Sequence, residues 1–263
     1  MSISASLQPK PGLRVLVTAG ASGIGAAIAR AFHETGARVH ICDIDRAALD
    51  RLTAELPAIS SSMADASVGA DVDLVYADVQ ANLGGLDVLV NNVGIAGPTG
   101  AVQDIERNDW ERSVSVNLNS QFYFAQRAVP LLKQSKNSPG IIVMSSVAGR
   151  LGYAFRTPYA ATKWAVIGFM KSLAIELGPQ GIRANAILPG VVEGERMNSV
   201  IRARAAATGV PEETMRDEYL RKISLRRMVT ADDVAAMTLF LSSPAARNVT
   251  GQAISVDGNV EYL

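Results

Sequence analysis

The sequence predicts a doubly wound α/β fold, in which helices cover both faces of one parallel sheet. Short runs rich in Val, Ile and Leu alternate with longer helical patterns from one end of the chain to the other. These runs are continuously apolar rather than alternating, which indicates strands buried on both faces. The connections are long enough for the helices that right-handed parallel crossovers need. We therefore expect a seven-stranded parallel sheet flanked by helices.

Six of the predicted strands are clear and the seventh is weak. The weak one, AISSSM at 58–63, is needed to complete the seven strands. The clear runs are LRVLVT (13–18), ARVHIC (37–42), LDVLVN (86–91), GIIVMS (140–145), IRANAIL (182–188) and QAISV (252–256).

Helical patterns fill the spaces between the strands. They lie near residues 23–35, 46–55, 67–83, 107–134, 158–177 and 231–242. Residues 191–229 are too many for an ordinary strand-to-helix connection and are mostly helical in pattern, so we predict a helical substrate lid there. Because no repeat or Pro/Gly-rich linker interrupts the chain, residues 1–263 are expected to form a single domain.

Composition and charge argue against several classes of function. Lys plus Arg and Asp plus Glu each number 25, so the formal net charge is zero, and neither nucleic acid nor an anionic membrane is an expected partner. The N-terminal MSISASLQPKPG lacks a basic segment followed by an apolar one, and no apolar run reaches about 18 residues. We expect a protein that is neither exported nor membrane-spanning.

The single cysteine, Cys42, lies in a predicted buried strand. One cysteine forms no internal disulfide, and no metal-ligand spacing surrounds it. We predict an inert packing role for Cys42, no metal site and a cytoplasmic location.

Three glycines occupy the junction between the first predicted strand and the first long helix. Gly20, Gly23 and Gly25 lie in VLVTAGASGIGAAIARAF, residues 15–32. Glycines there allow a tight turn, and the free N–H groups of the helix N-terminus can hold a pyrophosphate. The pattern favours a Rossmann-type dinucleotide site, although a flexible strand-to-helix turn would also contain glycines.

Two aspartates bear on which dinucleotide the site binds and how. Asp43 ends the second predicted strand, where a carboxylate accepts hydrogen bonds from the adenosine ribose hydroxyls and repels the 2′-phosphate of NADP. The places where an arginine would pair with that phosphate hold Ala21 and Ile44, so we predict NAD. Asp65 is placed either to reach the adenine edge or to cap the following helix.

A tyrosine and a lysine share one face of a predicted helix. Tyr159 and Lys163 stand four residues apart in YAATK. Thr157 and Pro158 resemble the N-cap and first residue of that helix, which places Tyr159 near the carboxyl ends of the strands, where such sheets bind ligands. The serine pair in IIVMSSVAG ends the fifth predicted strand, and NNVG ends the fourth.

Taken together, these motifs identify the chain as resembling the classical short-chain dehydrogenase/reductase family over essentially its whole length. The resemblance rests on the glycine loop, the NNVG motif, Asn117 in SVNLNS, Ser146, the YAATK pair and the Pro189–Gly190 turn. Two positions depart from the family pattern: NNVG stands for NNAG, and Gly194 replaces a threonine that contacts the nicotinamide carboxamide.

The resemblance implies a role for each residue of the catalytic set. A free tyrosine has a pKa of about 10, so Lys163 and the cationic nicotinamide are expected to lower the pKa of Tyr159 for its work as general base or acid. Ser146 is expected to orient the substrate oxygen, Asn117 to bind a water that links Lys163 to solvent, and Lys163 also to hold the nicotinamide ribose. The cofactor residues implied are Gly20, Ser22, Gly23, Ile24, Gly25, Asp43, Asp65, Ala66, Asn91, Gly94, Tyr159, Lys163, Pro189, Gly190 and Val192.

The substrate is expected to be a small alcohol or carbonyl compound that carries an anionic group. Arg156 lies where the 3-hydroxybutyrate dehydrogenases, which this chain is similar to in the length of its 191–229 segment, place a lysine that pairs with a carboxylate. The match is partial, because Ala148 stands where those enzymes have a histidine. Arg150 or Arg196 could bind the anion instead, and Arg156 could equally be a solvated residue or pair across a subunit interface.

Three interpretations of the function are consistent with the sequence. The first is an NAD-dependent secondary-alcohol dehydrogenase or carbonyl reductase. The others are a non-catalytic NAD-binding sensor and a dehydratase or epimerase on the same fold. The resemblance, together with the apolar C-terminal run GQAISVDGNVEYL, also predicts a homotetramer.

Overall fold

Seven strands form one parallel sheet in the computed structural model, which describes residues 2–262. The strand order is β3-β2-β1-β4-β5-β6-β7, so the chain reverses direction across the sheet between β1 and β4. The strands are β1 Arg14–Thr18, β2 Arg38–Asp43, β3 Ser60–Met63, β4 Val88–Asn91, β5 Gly140–Met144, β6 Arg183–Pro189 and β7 Ala253–Val256.

Hydrogen bonds from its neighbour explain why the serine-rich β3 is a strand. Ser60 and Ser62 lie within 2.8 Å of the two ring nitrogens of the buried His40 on β2. Burial lowers the pKa of His40 to about 4, against a smaller opposing effect of Asp78, so the ring is neutral at physiological pH. The predicted weak strand is therefore confirmed, with polar side chains in place of an apolar stripe.

Helices pack on both faces of the sheet. One face is covered mainly by α4, α6 and α7 and the other by α2, α3 and α10, each over a continuous apolar core. None of the helices within residues 2–262 is long and apolar enough to cross a membrane. The helices are α1 Ile3–Ser6, α2 Gly23–Glu34, α3 Arg46–Glu55, α4 Gly69–Leu83, α5 Arg107–Val114, α6 Ser120–Leu132, α7 Thr157–Leu177, α8 Glu195–Thr208, α9 Glu212–Arg221 and α10 Ala231–Ser242.

Two helix predictions need correction. The single helix expected over 107–134 is interrupted by a π-helical turn, Ser115–Asn119, between α5 and α6. Helix α7 begins at Thr157, with Arg156 in the N-cap position and no side-chain cap, so Thr157 is not the N-cap.

The predicted lid forms a small layer with its own core. Helices α8 and α9 pack around Ile201, Met215 and Tyr219, against Val147 from the main domain and Val260 from the C-terminal segment. A bridge between residues 192 and 229 joins the two ends of this layer, and a bridge between residues 223 and 260 joins it to the C-terminal segment. Leu263, the last residue of the apolar C-terminal run, lies outside the described residues.

Candidate active site

A cavity of about 600 Å³ opens at the carboxyl ends of the strands. Its walls come from the turn between β1 and α2, the ends of β2, β4, β5 and β6, the start of α7 and the lid. An open parallel sheet binds ligands at this edge, where its strand order reverses. Most of the sequence-predicted site residues meet here: Ser22, Gly23, Ile24, Asp43, Asp65, Ala66, Gly94, Ser146, Tyr159, Lys163, Pro189, Gly190 and Val192.

The three loop glycines serve different purposes. A Cβ on Gly25 would lie 2.0 Å from the carbonyl oxygen of Ala19, and one on Gly20 would lie 2.8 Å from the side chain of Ile41. Gly23 has φ +52° and lines the cavity. Gly20 and Gly25 therefore allow the turn to pack against the sheet and do not line the cavity themselves.

The two predicted aspartates, Asp43 and Asp65, line the same cavity. Asp43 accepts hydrogen bonds from the backbone N–H groups of Ala21 and Asp45, each at 3.1 Å. Asp65 accepts from Ser67 at 2.9 Å (N–H) and 2.6 Å (hydroxyl) and lies 3.6 Å from Arg112.

The start of the next helix excludes one of the two predicted roles of Asp65. Helix α4 starts at Gly69 with Val68 as its N-cap, so Asp65 is not a helix cap. Burial raises the pKa of Asp65, but its hydrogen bonds from Ser67 and the charge of Arg112 outweigh burial and leave it below its ordinary value. Arg112, which also lines the cavity, was not predicted from the sequence.

The structure corrects the prediction that Asn91, the last residue of β4, contacts the cofactor. Asn91 is fully buried, donates from its side chain to the carbonyl of Gln121 at 2.9 Å, and does not line the cavity. Asn92 lines it instead and donates to the carbonyls of Thr18 and Ala19, both at 3.1 Å. The NNVG motif therefore holds the glycine turn next to the end of β4 through the hydrogen bonds of Asn92.

Tyr159 and Lys163 point into the cavity from the first turns of α7. The Lys163 ammonium donates to the carbonyl of Met144 at 2.8 Å and lies 5.8 Å from the centre of the Tyr159 ring. A Cβ at Gly94 would approach that ammonium to 3.1 Å, so glycine leaves the room the lysine needs. Ser146, just beyond β5, accepts from the N–H of Ala148 at 3.2 Å and lines the same space.

Positive charges around Tyr159 offset the cost of burying a phenolate. Burial raises the pKa of Tyr159, but Lys163, Arg196, the Ser146 hydroxyl and Arg156 together hold it below its ordinary value. Burial and the charge of Arg196 lower the pKa of Lys163 to about 8, against the opposing effect of Tyr159. The site therefore favours proton transfer by the phenol.

Asn117 lies in the π-turn and acts behind the cavity. Its side-chain oxygen accepts from the N–H of Ile95 at 2.7 Å, and its amide donates to the Ile95 carbonyl and the Thr162 hydroxyl, both at 3.1 Å. Asn117 is fully buried and does not line the cavity. These contacts hold the segment after β4 against α7, and the water that links Asn117 with Lys163 stays a prediction.

The three arginines considered as substrate ligands differ in position. Arg150 lies outside the cavity and pairs with Asp257 at 3.0 Å, so it is not placed to bind substrate. Arg196 lines the cavity from the exposed first turn of α8. Arg156 lines it from a buried position just before α7 and donates to the carbonyl of Ala96 at 2.7 Å.

The backbone explains the replacement of the usual threonine by Gly194. This residue precedes α8 and has φ +134°, a conformation that favours glycine. A threonine would be strained there.

Several lid and loop residues that line the cavity, notably Tyr153 and Tyr219, carry no local signal in the sequence because folding alone brings them to the site.

Comparison with known sequences extends the match to nearly the whole chain. The family model described as enoyl-(acyl carrier protein) reductase matches residues 18–260. A D-beta-hydroxybutyrate dehydrogenase from Cupriavidus necator is 35% identical over 254 residues, covering 94% of this chain and 97% of that protein.

Two solved structures share the fold over similar lengths. An actinorhodin polyketide ketoreductase variant with NADPH superposes with a TM-score of 0.90 at 31% identity, covering 95% of this chain and 97% of that one. A 3-ketoacyl-(acyl-carrier-protein) reductase from Brucella melitensis, complexed with NADH, gives a TM-score of 0.84 at 31% identity, covering 95% and 98%. Each of these two relatives holds a nicotinamide dinucleotide.

Proposed function

The chain belongs to the classical short-chain dehydrogenase/reductase family, and from that premise we propose that it is an NAD-dependent oxidoreductase that interconverts a secondary alcohol and a ketone. The convergence of Tyr159, Lys163 and Ser146 on one cavity carries this proposal. The lowered pKa of Tyr159 supports it, because a lower pKa leaves more of the side chain as the phenolate that accepts a proton.

The residues of the cavity fit a dinucleotide. The N-terminus of α2 presents backbone N–H groups beside Ser22 and Gly23, which suits a pyrophosphate. Asp43 suits the ribose hydroxyls of the adenosine half, and Lys163 the ribose of the nicotinamide half. The bound nicotinamide would supply the hydride acceptor or donor.

Tyr159 would move the proton that accompanies the hydride. In alcohol oxidation its phenolate takes the proton of the substrate hydroxyl, and in carbonyl reduction its phenol returns one. Ser146 would hold the substrate oxygen beside Tyr159 by a hydrogen bond. Lys163, anchored on Met144, would stabilise the phenolate by its charge.

We propose NAD rather than NADP as the cofactor. The carboxylate of Asp43 lines the cavity, and its neighbours Ala21 and Ile44 carry no cation. A 2′-phosphate would face an unneutralised negative charge there, whereas ribose hydroxyls can donate to it.

The substrate proposed is a small anionic hydroxy compound. Its acidic group would face Arg156 or Arg196, the two cavity arginines near Tyr159. The relative named D-beta-hydroxybutyrate dehydrogenase supports the same class, since hydroxybutyrate carries a carboxylate. We further propose that the protein is a cytoplasmic homotetramer.

A screen for NAD reduction tests the proposed function. Purified protein is mixed with NAD and panels of hydroxy acids, sugar alcohols and aryl alcohols, and the absorbance of reduced nicotinamide is followed. We expect turnover of at least one hydroxy acid, and we expect Lys163→Ala to impair both turnover and NAD binding. NAD binding without turnover of any panel member would favour the sensor instead.

A further inference from the structure

We propose that Arg112 of α5 is a specificity-determining residue that contacts the adenine base of the dinucleotide, beside Asp65. The group recognised is a planar, uncharged purine, whose exocyclic amino group would donate a hydrogen bond to the Asp65 carboxylate. The inference rests on the proposed function, because it assigns the half of the cofactor that does not react.

Arg112 differs in its surroundings from the other cations of the cavity. Three others line the cavity within residues 2–262, namely Lys163, Arg156 and Arg196. All three of these charges lower the pKa of Tyr159, and Arg112 has no part in that effect. Arg112 instead lies 3.6 Å from the carboxylate of Asp65. Its charge therefore serves a part of the cavity away from the reacting phenol.

The order of the strands places this part of the cavity opposite Tyr159. Strands β2 and β3 lie on one side of β1, whereas β5, which leads to Ser146, lies on the other. Asp65 comes two residues after β3, which is two strands, or about 10 Å, away from β1. The proposed pyrophosphate site follows β1. A dinucleotide with its nicotinamide beside Tyr159 would therefore have its adenosine half near Arg112 and Asp65.

One oxygen of Asp65 is held in place while the other is free to accept. Oδ1 accepts from the N–H of Ser67 at 2.9 Å and from its hydroxyl at 2.6 Å. Oδ2 faces Arg112 at 3.6 Å and accepts no hydrogen bond of 3.5 Å or less from the described part of the chain. The carboxylate is thus fixed with an acceptor left for an amino donor.

The guanidinium of Arg112 is exposed and is held through one nitrogen. Its side chain is 51% exposed, so its donors are open to a ligand. The hydrogen bond that it makes within residues 2–262 runs from Nη1 to the Ser67 hydroxyl at 3.2 Å. Nη1 is also the atom nearest Asp65, so the plane of the guanidinium and its other N–H groups stay available. A guanidinium plane stacks well on an aromatic ring.

The neighbouring wall suits a base better than a further phosphate. Ala66 adjoins Asp65, and Val116 follows Arg112 by four residues; both are buried and line the cavity. Such apolar side chains favour a flat aromatic group over a charged one. Asp43 and Asp65 also follow neighbouring paired strands, and their two carboxylates disfavour another anion. Arg112 offsets one of these charges and leaves no excess positive charge for a phosphate.

Titration with NADH, followed by its fluorescence, tests the contact without turnover. Arg112→Gln should weaken NADH binding about 3- to 30-fold, the range expected for loss of a stacked cation. Arg112→Lys keeps the charge but loses the plane, so it should recover only part of that affinity. Arg107→Gln is the matched control and should bind NADH like the wild type, because Arg107 is an exposed residue of α5 that does not line the cavity.

Cofactor analogues identify the group that is contacted. The hypoxanthine analogue of NADH keeps the purine plane but has an oxo group in place of the amino group. The wild type should bind it about tenfold more weakly than NADH, and Asp65→Asn should abolish that preference. Arg112→Gln should weaken both ligands by the same factor, because stacking does not need the amino group. A greater loss for NADPH than for NADH in Arg112→Gln would assign Arg112 to the 2′-phosphate and overturn the proposal.

The same titrations separate this proposal from the proposed function. NADH binding with the expected loss in Arg112→Gln, but no turnover of any alcohol, would contradict the proposed enzyme and support the adenine contact. Turnover together with equal NADH affinity of Arg112→Gln and Arg107→Gln, or full recovery in Arg112→Lys, would overturn the adenine contact alone. A wild type that binds no NADH would contradict both.

Discussion

The phenol of Tyr159 lies among three cations, each of which acts on it differently. Lys163 is held in place by the carbonyl of Met144, and Arg156 stacks on the ring of Tyr159. Arg196 reaches the site from the exposed start of the lid. Arg196 can therefore be replaced with the least disturbance to the packing of the site.

We expect Arg196→Gln to move the pH profile of alcohol oxidation. Loss of this cation raises the pKa of Tyr159 toward its ordinary value, because Arg196 helps to lower it. A general base works deprotonated, so the rising limb of kcat/KM should shift to higher pH. The pH profiles of the wild type and of Arg202→Gln, a variant of an exposed residue on the same helix, provide the comparison. A rising limb at the same pH in Arg196→Gln and in the wild type would show that Arg196 does not lower the pKa of Tyr159.

The carboxylate of Asp43 should set the cofactor preference. NAD should bind the wild type far better than NADP, and Asp43→Ala should narrow the difference by removing the charge that faces the 2′-phosphate. Fluorescence titration with NADH and NADPH measures both affinities. Equal affinity of the wild type for the two cofactors would refute the prediction.

At the scale of elements, the strands and most helices could be predicted because their signals are local. The predicted ranges 46–55 and 231–242 agree with α3 and α10. The predicted strands, and the predicted helices near 23–35, 67–83 and 158–177, differ from the observed elements by one or two residues at their ends. The π-turn could not be predicted, because Asn117 is held by tertiary bonds to Ile95 and Thr162.

The residues of the site also divide into those that sequence motifs predict and those that only tertiary packing brings together. The glycine loop and the Tyr159–Lys163 pair are sequence motifs, so their meeting at one cavity follows from the predicted sheet. Contacts of Arg204 with Tyr153 and Tyr219 join the segment before α7 to α8 and α9, whose packing no local pattern encodes. Sequence spacing also could not show that Arg150 pairs with Asp257.

Gly25 should be irreplaceable even by alanine. A Cβ there would lie 2.0 Å from the Ala19 carbonyl oxygen, so Gly25→Ala must displace the turn between β1 and α2. We expect a lower melting temperature and weaker NADH binding. Gly168→Ala is the control, because this residue of α7 has no neighbouring atom within 4 Å of the added Cβ, and alanine should stabilise a helix by up to about 1 kcal/mol. A melting temperature of Gly25→Ala equal to that of the wild type would contradict the packing argument.

At the scale of the whole molecule, the C-terminal strand leaves apolar surface for association. Strand β7 is the last strand of the sheet, next to β6, and its residues are half-buried or exposed, whereas β5 is buried throughout. Elsewhere Ile175 on α7 is 80% exposed. Such surface is costly to leave in water, which supports the proposed homotetramer.

Light scattering coupled to size-exclusion chromatography measures the assembly. We expect a mass four times that of the 27.8 kDa chain, stable on dilution into the micromolar range. A monomeric mass would contradict the prediction and would show that association of copies does not cover the apolar surface at β7.

Proton transfer by Tyr159, coupled to net hydride transfer, is the central claim. The most direct test quantifies NADH and ketone formed per alcohol consumed, for the wild type and Tyr159→Phe at equal NAD saturation. We expect one NADH and one ketone per alcohol, and a loss of about 10²- to 10⁴-fold in rate for Tyr159→Phe with NAD binding nearly unchanged. Product without net NADH, as from a dehydratase or epimerase, or a variant retaining more than about a tenth of wild-type turnover, would contradict the account.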